Sequence, residues 1–141
     1  MTVSEKRKVL ISEKKLNHLF FKANTENSTF KILKRNYNFE KIYTCGLIDY
    51  LEKEFNYPEG IILFGSFAKG EENEKSDIDM MIISPLHKTI NLKKFEHILH
   101  HPIHLFVYSS TAIEKLKKEN KGLLNNIING IVLYGFWEFL K

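Results

Sequence analysis

Cysteine is almost absent: Cys45 is the only one in 141 residues. No internal disulfide can form, and a reducing compartment, the cytoplasm, is the expected setting. Long apolar runs are also missing. None approaches the roughly 20 residues that a membrane-spanning helix needs. The opening stretch, "MTVSEKRKVLISEKK", is charged throughout and has no apolar core of a secretory signal. No internal repeat or low-complexity segment stands out, and no HExxH pair marks a zinc hydrolase. These absences argue against a disulfide-stapled secreted domain, a helical membrane protein and a repeat array. What is present suits a core: 43% of residues are hydrophobic, with 11 Phe and 6 Tyr. That is enough for one compact domain.

The net charge of +4 is unevenly spread. Residues 1–35 carry nine Lys or Arg against three Glu, hence +6, whereas residues 36–141 carry twelve against fourteen acids, hence −2. A basic end of this kind can touch a nucleic acid or an acidic partner. A solvated lysine-rich surface is the plainer reading.

Short apolar pieces at 8–12 and 18–23 suggest a small hairpin. Ser28 or Thr29 is a helix cap ahead of Phe30, Ile32 and Leu33, and apolar residues over 39–55 recur near helical spacing. Pro58-Glu59-Gly60 breaks the chain. "IILFG" then reads as a strand, and "IDMMIIS" as a second, apolar on both faces and so central in a sheet. A helix over "NLKKFEHILH" should carry Leu92, Phe95 and Leu99 on one side. The strand "PIHLFVYS" should send Ile103, Leu105 and Val107 to one face. A helix capped by Ser110 or Thr111 follows, then a helix over "GLLNNIING". "IVLYGFWEFL" is a strand or a short helix. Helices alternating with strands predict an α/β (α+β) fold, with a mixed sheet and helices packed against it. A basic arm over 1–38 and a main domain over 39–141 is the expected division.

The chemistry concentrates in "LFGSFAKGEENEKSDIDMMII". Residues two apart on a strand share a face, so Asp77 and Asp79 should project together while Ile78 turns into the opposite layer. Two adjacent carboxylates repel, and burying them unpaired is costly, so they call for a cation or for hydrogen-bond donors. Magnesium prefers such hard oxygen ligands and commonly shares them with substrate phosphates. Gly65 at a strand end permits close approach of a ligand, and Ser66 opening a helix offers a hydroxyl and free N–H groups to an anion. Lys69 adds positive charge one turn on. Together these residues predict a site for a metal-bound triphosphate.

Gly65-Ser66, ten residues, then Asp77-Ile78-Asp79 resembles the GS-x10-DxD pattern of minimal nucleotidyltransferases in the DNA polymerase β superfamily. The flanking strands fit as well, and the resemblance runs from about residue 39 to 136. It implies a nucleotidyltransferase fold and transfer of a nucleoside monophosphate from a nucleoside triphosphate, ATP first, to a hydroxyl with two Mg2+ ions. Some small members of the family are antitoxins that nucleotidylate a helical partner toxin. On that resemblance Gly65, Ser66, Lys69 and Ser76 hold the nucleotide, and Asp77 and Asp79 are catalytic metal ligands. The family also has a third carboxylate on a later strand. The matching place, "PIHLFVY", holds His104 instead, which makes His104 a further metal-ligand candidate.

Imidazole nitrogen suits magnesium poorly, so slow transfer, Mn2+-dependent transfer and a purely nucleotide- or partner-binding role follow from that replacement. His97 and His101, with His100 between them, could share a helix face as metal ligands do, but exposed histidines at a helix end are the simpler reading. "HLFFKANTENSTFKILKRNYN" resembles the wing and following helix that join a winged-helix unit to a nucleotidyltransferase domain in some archaeal proteins, without the recognition helix. A weak nucleic-acid contact through residues 1–35, hence a DNA-binding regulator, is the alternative this raises. So short a chain leaves no room for a large substrate domain. A partner subunit or a second copy is therefore expected to complete the cleft.

Overall fold

The computed structural model describes residues 28–135. The hairpin expected over 8–23, the wing, and the end of the chain beyond Gly135 lie outside them. Six helices and four strands follow one another: α1 (Ser28–Thr44), α2 (Leu47–Glu54), β1 (Gly60–Phe64), α3 (Ser66–Lys69), β2 (Ile78–Ile83), α4 (Lys93–Leu99), β3 (Ile103–Tyr108), α5 (Ser110–Glu119), α6 (Lys121–Ile128) and β4 (Ile131–Gly135). The result is the α/β fold that the alternation predicts.

The strands form one mixed sheet in the order β3-β2-β1-β4. β1 is antiparallel to both β2 and β4, whereas β2 and β3 run parallel. The parallel pair needs a crossover, and α4 supplies it. β1 and β2 are central, and the side chains of Ile61, Ile62, Leu63, Met80, Met81, Ile82 and Ile83 are all shut from solvent. Their near-continuous apolar sequence follows from that, because both faces are covered. On one face Ile61, Leu63, Ile78, Met80 and Ile82 pack with Leu47, Leu51 and Phe55 of the α2 region and with Phe95 and Leu99 of α4. On the other, Ile62, Phe64, Met81 and Ile83 pack with Ile113 of α5 and Ile127 of α6. Ile103, Leu105 and Val107 share the first face, as their alternation predicts.

Three local details differ from the expectation. The helical pattern over 39–55 is divided by a turn at Cys45 and Gly46, and its first half is continuous with the segment from Ser28. The cap of α5 is Ser109, whose hydroxyl accepts from the Ala112 N–H at 3.1 Å, rather than Ser110 or Thr111. Leu92 stands at the start of α4 rather than within it. No described helix is long and apolar enough to cross a membrane.

Candidate functional site

β1 ends at Phe64, and the next residue turns the chain into α3. Gly65 takes φ 74° and ψ −156°, a conformation open in practice only to glycine. A Cβ at Gly65 would lie 2.5 Å from Asp79 Oδ2. The glycine therefore does two things: it makes the turn, and it lets a carboxylate sit directly against the backbone. α3 is a single turn, held by buried Phe67 and Ala68 and closed by the Glu71 N–H donating to the Ser66 carbonyl at 2.9 Å.

Asp79 is the second residue of β2, in register with Phe64 on one side and His104 on the other. These three side chains form a row across the sheet, on the face covered farther along by α5 and α6. Phe64 is buried, Asp79 is half-buried and His104 is open to solvent. Ile78 is fully buried in the opposite layer, as the alternation requires. Asp77 precedes the strand and is exposed, yet close enough for its charge to act on Asp79. Burial pushes the Asp79 carboxyl above the usual carboxylate range. His104 opposes that shift, and the charge of Asp77 adds to it. His104 Nδ1 stands 3.7 Å from Asp79 Oδ1, and its ring lies 4.3 Å from that of Phe106.

Ser66 opens α3, adjacent to Gly65. Lys69, at the end of the same turn, is exposed and makes no ion pair among the described residues. The Ser76 hydroxyl accepts from the Asn73 N–H at 3.0 Å, so it closes the loop that carries Asp77. His97 and His101 do not form a metal pair with a third ligand. Among the described residues no three His, Cys, Asp or Glu side chains gather into a preformed metal site. Asp79 and His104 face each other, and Asp77 is near enough for its charge to act on Asp79, but the three do not close on one point.

Two supports were not foreseen. The loop between α3 and β2 is anchored by Glu72, which is buried although charged. Its carboxylate accepts from Asn38 Nδ2 at 2.8 Å and pairs with Lys34 Nζ at 3.2 Å, and its backbone carbonyl also accepts from Lys34. Asn38 and Lys34 lie on α1 in a stripe at four-residue spacing, Phe30, Lys34, Asn38, Ile42, whose ends are buried and apolar. Polar residues in the middle of such a stripe are a signal that something polar is received there. Nearby, a Cβ at Gly70 would run into the Lys31 carbonyl, so α1 and the end of α3 are in backbone contact. The second support is His101, which packs against Phe67 and reaches the Ser76 carbonyl.

Comparison with known families places this arrangement. No curated protein matches the chain. The family described as "Polymerase beta, Nucleotidyltransferase" matches residues 46–136, a span that includes β1, the Gly65-Ser66 turn, both aspartates and His104. That span is well over half of the 141 residues. It holds the whole mixed sheet and the glycine turn against Asp79, and the chain belongs to the polymerase β-type nucleotidyltransferase family.

Proposed function

We propose that the chain binds a magnesium-bound nucleoside triphosphate, ATP first, and transfers its nucleoside monophosphate to a hydroxyl of a protein or small molecule. The observation that carries this reading is the apposition of Gly65 and Asp79. A half-buried carboxylate, raised by burial and by Asp77, lies against a backbone that no side chain obstructs. Hard oxygen donors with surplus negative charge fit Mg2+, and Mn2+ as a second choice. Asp77 and Asp79 would hold the ion, which supplies charge neutralisation and orientation to the triphosphate when bound.

The chain's own residues do the rest. The backbone at Gly65 and Ser66 lets phosphate oxygens approach the end of β1 closely. Lys69, one turn on and without an ion-pair partner among the described residues, adds positive charge. Asp79 is held on β2 and Asp77 just before it, on a segment whose next N–H, that of Ile78, donates to the Pro102 carbonyl, so a ligand would meet two carboxylates held near one strand end. The hydroxyl of a helical partner protein, as in a toxin–antitoxin pair, is the first acceptor to test, because the family resemblance points to it.

The test is calorimetric titration of a non-hydrolysable ATP analogue with and without Mg2+, beside Asp77→Ala/Asp79→Ala. Magnesium-dependent binding that the double variant loses supports the site. Binding that survives in the variant overturns the metal assignment.

His104 favours a second reading, a module that binds nucleotide or a partner but transfers poorly. It stands in register with Asp79, where the family resemblance implies a third carboxylate. His104→Asp separates the two. A gain in transfer of about tenfold or more, roughly 1.4 kcal/mol of barrier, marks the wild type as an impaired enzyme. An unchanged null rate beside intact nucleotide binding marks it as a binding module.

A further inference from the structure

The turn between α4 and β3 is fixed more firmly than a three-residue connection requires. His100 ends α4 in a left-handed conformation, φ 60°, which reverses the chain at that point. Glu96, on α4, then accepts from the Ile103 N–H at 2.8 Å, tying the start of β3 back to the helix. Between these ties, His101 and Pro102 face the segment that carries Asp77.

The contacts there are specific. His101 Nδ1 donates to the Ser76 carbonyl at 2.8 Å. A carbonyl only accepts, so Nδ1 carries the proton. The Ile78 N–H donates to the Pro102 carbonyl, also at 2.8 Å. The first bond holds the peptide unit before Asp77, and the second holds the peptide unit after it. Peptide units are rigid planes, so restraining the two that flank a residue restrains its φ and ψ and the direction of its Cα–Cβ bond. The same imidazole packs edge-on against Phe67, with ring centroids 4.7 Å apart and an interplanar angle of 79°. Phe67 is buried and immediately follows Ser66. One ring thus touches both halves of the site, the Gly65-Ser66 turn through Phe67 and the aspartate segment through Ser76.

We infer that His101 is a positioning residue for the nucleotide site: it sets the angle of Asp77 relative to the Gly65-Ser66 turn by clasping the Ser76 carbonyl while packed on Phe67. The inference rests on the nucleotide-binding reading above and deepens it. His101 itself touches neither metal nor phosphate. Its histidine identity is explained by this double duty, because a ring face and a properly placed donor are both needed. The neighbouring His97 and His100 are exposed and make no such contact among the described residues.

Two substitutions separate the duties. His101→Phe keeps a flat ring against Phe67 and removes the donor. His101→Asn places an amide nitrogen where Nδ1 stood and so restores the donor. Two measurements are made on the full chain. Hydrogen exchange of the 71–77 segment, without nucleotide, reads the clasp directly. Calorimetry with Mg2+ and a non-hydrolysable ATP analogue reads its consequence, with Asp77→Ala as reference.

The expected result for His101→Phe is exchange about fivefold faster and nucleotide affinity about fivefold weaker, the scale of one lost hydrogen bond, with part of each recovered in His101→Asn, which keeps the donor and lacks the ring. Unchanged exchange in His101→Phe, unchanged affinity, or failure of His101→Asn to recover part of either one overturns the inference. If His101→Phe matches the wild type while Asp77→Ala has lost binding, the positioning role fails and the nucleotide reading stands. If the wild type does not bind the analogue, the nucleotide reading fails and the positioning role falls with it.

Discussion

Glu72 and Asp79 sit seven residues apart, and burial pushes both carboxyls above the usual range. Their surroundings differ. Glu72 is almost fully enclosed and fully answered: Asn38 donates to one oxygen, and Lys34 pairs with the other. Asp79 is only half enclosed and poorly answered. Its nearest basic neighbour is the exposed His104 at 3.7 Å, charged only when protonated, and its other charged neighbour is Asp77. A buried carboxylate with a complete set of partners holds a structure together. One with like charge beside it, and with open backbone against it, suits a ligand that brings positive charge, which is the reading proposed for Asp79. The same residue chemistry thus does two jobs, distinguished by whether the protein itself completes the pairing.

The largest expected effect breaks the Asp79 side. Asp77→Ala/Asp79→Ala should lower nucleotidyl transfer by at least about a thousandfold, roughly 4 kcal/mol of transition-state stabilisation, measured with a labelled triphosphate. Folding should be untouched or improved, since two repelling charges are removed. Glu72→Ala should do the reverse. Taking the carboxylate away from a nearly buried lysine and a buried asparagine should cost about 3 kcal/mol in urea denaturation. Equal destabilisation by the two changes would abolish the distinction drawn between them.

Gly65→Ala strikes where turn and carboxylate meet. The added methyl must displace the Asp79 carboxylate, and the backbone conformation is strained for any side chain. A loss of about 2 kcal/mol in stability is expected. Nucleotide binding should fail in the same variant, and calorimetry checks that alongside the denaturation curve. An alanine variant that binds normally would show that close approach at Gly65 is not needed.

Much of this is legible in the sequence. The strands over "IILFG", "IDMMIIS" and "PIHLFVYS" are visible because short apolar runs bounded by Gly, Pro and charge are too brief for helices and too apolar for loops. The spacing of GS to DxD makes Gly65 and Asp79 candidates for one site, but their direct apposition across an antiparallel pair appears only in the structure. The supports are not. Lys34 and Asn38 meet Glu72 across 38 and 34 residues of sequence, and nothing local links them beyond two polar residues in an apolar stripe. His101 stands in a run of histidines whose spacing suggests a metal. Its actual partner, a backbone carbonyl, leaves no trace in a sequence. The break at Gly46 and the cap at Ser109 escape the pattern because apolar spacing locates a helix better than its ends.

The finest comparison uses pH, and its sign follows from the direction of the shift. A carboxyl raised in the folded state binds its proton more tightly folded than unfolded. As pH rises from the usual carboxylate range through the raised folded value, the folded state therefore carries more protons than the unfolded state, and stability falls. Below that window the group is neutral in both states and costs nothing. Glu72 and Asp79 both contribute this slope in the wild type, so the wild-type curve alone does not distinguish them. Asp79→Asn removes only the Asp79 share. Its melting temperature, without divalent cation, should match the wild type at the acid end and exceed it modestly by neutral pH. Added Mg2+ should raise the wild type and leave Asp79→Asn nearly unmoved, because a cation at the carboxylates relieves the penalty that the amide never had. A wild type that gains nothing from Mg2+ at neutral pH, yet shows the acid-side slope, would mean that Asp79 is strained by burial without being a ligand. The contrast with Glu72 would then reduce to one buried acid with good partners and one with poor ones.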